Sequence, residues 1–393
     1  MASDGSQEID WAGQPFSFLP KWHQAAPHGQ PQSYGQRRQQ QQPGKKHAGT
    51  GTWDGPAPKG FGEPPRHAAQ EQPTNAVPVL EPDSVRLSNG TIMPILGFGT
   101  FQLMQPGLVR KALDCGCRHL DCAALYKNED MVGKELAEWV AAAPQNRRED
   151  VYICSKVFCD HLRPVLLRKS FGKTLSDLKC GYLDLFLIHW PDAWVPGAKS
   201  DFLGEVTLDT ELSREQTWRA MEKLVDDGLC KSIGVSNFSL KQVEEVMSFA
   251  RIKPVCNQVE LHPYLPQRKL VGSCFRMGVQ CTAYSPLGGP NLVKPNDLIT
   301  NPTVAKIAAE TGKTPAQVLL KWCIQRGVPT FPKTGRPERV EENFVGMFDW
   351  KLTYTQKAAL DSLECGKRFC EPPWKKWDDD AEAGVPKPSK VIQ

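Results

Sequence analysis

The chain has 393 residues and a formal net charge of +4, too mild a balance to point to nucleic acid or to a membrane surface as a partner. Its 13 Cys all follow residue 114, odd in number and without a CxxC pair, so neither a disulfide framework nor a zinc site is expected and a reducing compartment suits them. The opening residues lack a basic stretch followed by an apolar one, and no run approaches a membrane-spanning length, so a cytoplasmic protein without signal peptide or transmembrane helix is expected.

Of the 33 Pro, 11 fall in the first 80 residues, Gln39 to Gln42 run together, and no Ile or Val occurs between Ile9 and Val77. Such a stretch buries too little apolar surface to offset its ordering entropy. Residues 1–82 therefore read as a disordered or partner-ordered arm rich in Pro, Gln and Gly. The cluster from Ile9 to Trp22, with Trp11, Phe16, Phe18 and Leu19, makes a protein partner for that arm an open possibility. Residues 83–393 have ordinary globular composition and a length that suits one large α/β barrel or two smaller domains.

In chain order, Asn89-Gly90 between alternating residues predicts a β-hairpin at the start of the folded part. Short apolar runs then predict strands over Ile95 to Gly97, Arg118 to Leu120, Val151 to Lys156, Leu183 to His189, Ser232 to Val235, Val255 to Val259, Gln280 to Tyr284 and Val328 to Phe331. Between them lie amphipathic stretches with start signals at Ser213 to Gln216, Ser239 to Gln242 and Thr314-Pro315. Alternating strands and helices imply parallel β-structure, and eight strands are the number that closes a (β/α)8 TIM barrel. The competing doubly wound sheet would carry GxGxxG, and Gly97-Phe-Gly99-Thr-Phe-Gln102 lacks its last glycine.

Catalytic groups of such barrels sit at the C-terminal strand ends. Here the strand candidates end on Asp121, Lys156, His189, Ser236-Asn237, Gln258, Tyr284 and Lys333. Any one of these has a structural explanation, such as a helix cap for Asp121 or a surface stem for Lys156. An acid, a lysine and a histidine on one rim need a function to justify their desolvation.

Over approximately residues 84 to 380 the chain resembles the aldo-keto reductases. The resemblance rests on Gly116 to Gly133, which contains Arg-His-Leu-Asp121 and Tyr126, on Ile-Gly-Val-Ser-Asn-Phe238, on Asn257 to Leu265, on Ala-Tyr-Ser-Pro-Leu287 and on Pro332 to Asn343. It implies a catalytic tetrad of Asp121, Tyr126, Lys156 and His189. Tyr126 would donate the proton, Lys156 would lower its pKa, Asp121 would hold Lys156 charged, and His189 would orient the carbonyl oxygen. The implied cofactor is NADPH. Ser236, Asn237 and Gln258 match positions that bond the carboxamide, Tyr284 the ring that stacks on the nicotinamide, and Ser285 and Leu287 further contacts. Lys333, Thr334, Arg339 and Asn343 match the adenosine-phosphate pocket, where a lysine and an arginine suit a 2′-phosphate. Phe101, Trp190 and Trp194 are the implied substrate-side aromatics, and the tail near Phe369, Trp374 and Trp377 matches the variable C-terminal loop. The chain departs from the common family pattern with Phe101 and Phe158 in place of Trp, Thr334 in place of Ser, Gly289 where a Ser often touches the pyrophosphate, and Ala124 where larger side chains are frequent. The expected activity is reduction of an aldehyde or ketone to an alcohol, and the alternative is a reductase-like barrel that serves a larger assembly through its arm.

Overall fold

The computed structural model describes residues 83–200, 202–289 and 296–377, so the arm over 1–82 lies outside the described residues. The chain opens with the antiparallel pair β1 (Ser84–Arg86) and β2 (Ile92–Pro94), in register Arg86↔Ile92. Gly90, at φ 87°, makes the turn, where Leu87 N–H donates to the Thr91 carbonyl.

Seven parallel strands follow in sequential order: β3 (Phe98–Gly99), β4 (His119–Asp121), β5 (Tyr152–Val157), β6 (Leu185–Ile188), β7 (Ile233–Ser236), β8 (Cys256–Glu260) and β9 (Gln280–Tyr284). The helices are α1 (Leu108–Asp114), α2 (Glu129–Ala142), α3 (Pro164–Asp177), α4 (Arg214–Asp226), α5 (Leu240–Phe249), α6 (Arg268–Arg276), α7 (Pro302–Thr311), α8 (Pro315–Ile324), α9 (Pro337–Phe344) and α10 (Tyr354–Asp361). The start signals read from the sequence act as expected: Ser213, Ser239 and Thr314 each close a capping box with Gln216, Gln242 and Gln317. No described helix is long and apolar enough to cross a membrane.

The eighth stave differs from a full strand. Thr330 forms parallel bridges to Leu96 on one side and Ala283 on the other, and the segment 329–332 around it joins the first and last strands into a barrel. The predicted first strand is displaced accordingly: Gly97 N–H donates to the Thr330 carbonyl and Gly99 N–H to the Pro332 carbonyl, so the stretch from Leu96 is used for closure and the regular ladder starts at Phe98. The barrel is thus a (β/α)8 TIM barrel.

Strand pleating sorts the side chains. In β5, Tyr152 and Cys154 face the interior and pack with Leu185, Leu187, Val255 and Cys256. Leu87 and Met93 from the hairpin region join that cluster and plug the N-terminal end. Ile153 and Val157 face outward into the layer between strands and helices, with Phe171 of α3 packed edge-on to Phe186 of β6 at 4.8 Å. The same alternation aims Lys156 inward at the opposite end of the barrel.

His119 of β4 is fully buried between Tyr152 and Phe331, each 4.7 Å from its ring, and its Nδ1 contacts the Pro94 carbonyl at 3.1 Å. Burial pushes its pKa down from 6.5 to about 4. The unfolded chain therefore takes up this proton first, so the stabilisation is complete above the unfolded value and is lost as pH falls from 6.5 towards 4. We expect acidification across that window to cost on the order of 3 kcal/mol from this residue, read as a urea midpoint that falls less steeply with pH in His119→Phe than in the wild type.

Candidate active site

At the C-terminal rim, Lys156 of β5 is completely buried. Its ammonium donates to Asp121 Oδ1 at 2.8 Å and to the Cys122 carbonyl at 2.8 Å. Gln258 of β8 donates from Nε2 to the same Oδ1, also at 2.8 Å. The register explains the meeting: Asp121 is the last residue of β4, level with Cys154 of β5, and Lys156 lies one inward position further along.

Tyr126 ends a short helical turn, Ala124–Tyr126, that leaves β4, and Lys127 takes a left-handed conformation (φ 53°) to turn the chain into α2. The Lys156 ammonium lies 5.4 Å from the Tyr126 ring centroid. His189, at the end of β6, approaches the same ring edge-on at 5.9 Å, and Phe101 approaches at 5.1 Å. The tetrad expected from the sequence is therefore gathered in one place.

The charge states follow from burial and neighbours. Burial opposes the charge on Lys156, but the Asp121 carboxylate prevails and holds its pKa above the ordinary value. Burial, reinforced by Lys156, keeps His189 well below its ordinary value and so neutral, with Nδ1 buried and without a hydrogen-bond partner among the described residues. At Tyr126 two effects oppose each other. Burial raises the phenol above its ordinary value, and Lys156 pulls it down without overcoming that burial. The phenol therefore stays protonated.

A second set is bonded to the first. Tyr284, at the end of β9, donates from Oη to Asn237 Oδ1 at 2.8 Å. Asn237, left-handed at φ 61°, donates from Nδ2 to the His189 carbonyl at 3.0 Å and to Ser236 Oγ at 3.2 Å, and Ser236 Oγ donates to the Gln258 carbonyl at 2.8 Å. Tyr284, Asn237, Ser236, Gln258, Asp121 and Lys156 thus form one continuous network with the His189 backbone. Ser285 and Leu287 continue from β9, where their carbonyls accept from Gly288 N–H and Asn296 Nδ2.

Lys333, Thr334, Arg339 and Asn343 form a separate group on the closing segment and α9. Thr334 Oγ1 accepts from Arg336 N–H at 3.1 Å, Asn343 is buried, and Arg339 is exposed. The segment passes so close to β3 that a Cβ on Gly99 would meet the Phe331 carbonyl oxygen at 2.9 Å and Lys333 Cβ at 3.6 Å. Lys333 is exposed at its surface, and partial desolvation lowers its pKa. This donor set fits an anionic, amide-bearing dinucleotide. Lys333 and Arg339 are both exposed on this segment, with their cationic ends open to an anionic group.

The substrate-side aromatics divide. Phe101 packs on Tyr126, whereas Trp190 and Trp194 join Phe158 in a buried cluster with Phe202, Trp374 and Trp377. Trp374 lies 5.2 Å edge-on from both Trp190 and Trp194. Sequence reasoning missed Phe202, in a loop without periodicity, and Glu260, which closes β8 inside a block already noted for Gln258.

Comparison with known proteins places the chain in a family. The family described as "Aldo/keto reductase family" matches residues 96–364, and the chain belongs to it. It is 43% identical over 302 residues to aldo-keto reductase family 1 member A1-A of Danio rerio, covering 74% of this chain and 92% of that protein. It is 42% identical over 293 residues to aldose reductase B of Dictyostelium discoideum, covering 71% and 92%. The solved aldose reductase of Schistosoma japonicum superposes with a TM-score of 0.67 at 39% identity, covering 72% of this chain and 93% of that one. The chain is accordingly an oxidoreductase of carbonyl groups, in a family that generally uses NADP(H).

Replacing Asp121 with Asn leaves a buried ammonium facing only neutral acceptors. We expect a loss of about 3 to 5 kcal/mol in unfolding free energy by urea titration, much of it recovered when Lys156→Met removes the charge as well.

Proposed function

We propose that the protein reduces an aldehyde or ketone to an alcohol with NADPH as the reductant and Tyr126 as the proton donor. The observation that carries this reading is the fully buried Lys156 held by Asp121, with the Tyr126 ring 5.4 Å from its ammonium and His189 edge-on to that ring at 5.9 Å. Bound NADPH supplies the hydride that adds to the carbonyl carbon. The carbonyl oxygen then carries the developing negative charge, and Tyr126 Oη gives it a proton. His189 stays neutral and orients that oxygen by a hydrogen bond. The Lys156 ammonium offsets the phenolate left on Tyr126, and Asp121, tied in turn to Gln258, prevents Lys156 from moving away or losing its proton.

Ser236, Asn237 and Gln258 are read as amide partners of the nicotinamide, with the Tyr284 ring as its stacking face and Ser285 and Leu287 beside it. Their mutual hydrogen bonds support the reading because they lock each side chain before the cofactor arrives. Lys333, Thr334, Arg339 and Asn343 are read as the adenosine-phosphate group. Phe101, Trp190 and Trp194 are read as substrate contacts. All these residues lie beyond residue 84, so we place the arm over 1–82 outside the chemistry, as a segment available to a protein partner.

Tyr126→Phe should lower kcat for a small aldehyde by at least about 100-fold while NADPH still quenches tryptophan fluorescence; a variant with near wild-type turnover would sink the assignment. Arg339→Met should weaken NADPH roughly 10-fold or more and leave NADH nearly unchanged, which fluorescence titration with both nucleotides reads directly.

A further inference from the structure

Glu260, the last residue of β8, follows Gln258 by two positions and so shares its inward face. It is 1% exposed. Its Oε1 accepts from Phe369 N–H at 2.6 Å and contacts His262 Nε2 at 3.0 Å, while Oε2 accepts from Cys370 N–H at 3.1 Å. A buried carboxylate that collects consecutive backbone N–H groups 109 and 110 residues away is a clamp on that distant segment.

The clamped segment, 367–377, runs as a strap between two attachment regions. Upstream, Cys365 and Gly366 N–H both donate to the Tyr264 carbonyl. The Phe369 ring lies edge-on to His262 at 5.1 Å, and a Cβ on Gly289 would collide with Phe369 Cβ. The glycine that replaces the family's common serine therefore makes room for the strap. Downstream, Trp374 Nε1 donates to the Phe202 carbonyl at 2.9 Å and Lys375 Nζ to Asp192 Oδ2 at 3.0 Å. Asp192 sits midway between Trp190 and Trp194, so the far end of the strap grips the loop that carries those indoles.

Resting on the reductase reading above, we propose that Glu260 is a positioning residue. It holds the strap so that Trp374 and Trp377 wall the substrate pocket, and it thereby sets discrimination between bulky and small carbonyl substrates. Phe369, seated against Gly289, links that wall to the segment after β9 that we read as cofactor-binding. Glu260 does not touch the reacting atoms. Loss of its charge leaves the buried N–H groups of Phe369 and Cys370 with a poorer acceptor, and the strap with its more exposed attachments. A small aldehyde makes little use of the wall, whereas a fused-ring aldehyde packs against it.

The test uses the full chain, NADPH, and propanal against 2-naphthaldehyde. In Glu260→Gln we expect KM for 2-naphthaldehyde to rise at least fivefold while kcat for propanal stays within twofold. Trypsin should cut after Arg368 and Lys376 about tenfold faster, followed by mass spectrometry. Gly289→Ala, which displaces Phe369 without touching Glu260, should accelerate the same cleavages. Unchanged cleavage together with unchanged KM in Glu260→Gln would overturn the proposal, and so would a parallel fall of kcat for both aldehydes. If the wild type reduces neither aldehyde, the reductase reading fails, and the trypsin comparison still decides whether Glu260 clamps the strap.

Discussion

The site is organised by one ion pair that water does not reach. Lys156 and Asp121 meet at 2.8 Å with side chains 0% and 4% exposed, where desolvation opposes both charges and only good geometry repays it. That requirement propagates outward. Asp121 needs a second donor and receives it from Gln258; Lys156 needs a second acceptor and receives it from the Cys122 carbonyl. One comes from within β8 and the other from the residue just after β4, so the barrel must close in one register for the pair to be tolerated. The short closing segment around Thr330 suffices because the hairpin and the interior side chains already fill the other end.

Much of this was legible in the sequence because it follows from a period of two. An apolar run that ends on a polar residue at the C-terminal rim marks an inward side chain, and Asp121, Lys156, His189, Ser236, Gln258 and Tyr284 all announce themselves in this way. The capping boxes at Ser213, Ser239 and Thr314 were readable because each is local, within three residues. What was not legible depends on distant contacts. Leu96 and Gly97 looked like strand, yet their pairing with Thr330 diverts them to closure. The wall of the pocket depends on a bond from Trp374 to Phe202 across 172 residues, and no local pattern encodes that. Glu260 lay in full view in a recognised block, but its task became visible only when the backbone it serves arrived from the far end of the chain.

The departures from the family pattern become less independent in the fold. Gly289 and Phe369 occupy the same volume, so the loss of a side chain at one and the presence of a ring at the other are a single packing solution. Phe158 likewise meets Trp194 at 5.0 Å and His189 at 5.7 Å, and a larger ring there would have to displace one of them. The substrate side is thus varied by coordinated exchange of aromatic volume, while the bonded network beneath it is left intact.

The raised phenol of Tyr126 bears on why the network is so tightly tied. A cation beside a phenol would ordinarily be expected to ionise it, and burial prevents that here. The resting site then holds one anion, one cation and two neutral groups, and it gains nothing by giving up a proton on its own. A phenolate becomes tolerable only when its proton has somewhere to go and Lys156 remains to face it. In the mechanism we propose, burial guards the proton until a basic oxygen forms next to it, and the Asp121 clamp keeps the compensating charge in place when it does. On that proposal, the same desolvation that makes the ion pair costly is what would couple proton release to the formation of the alkoxide.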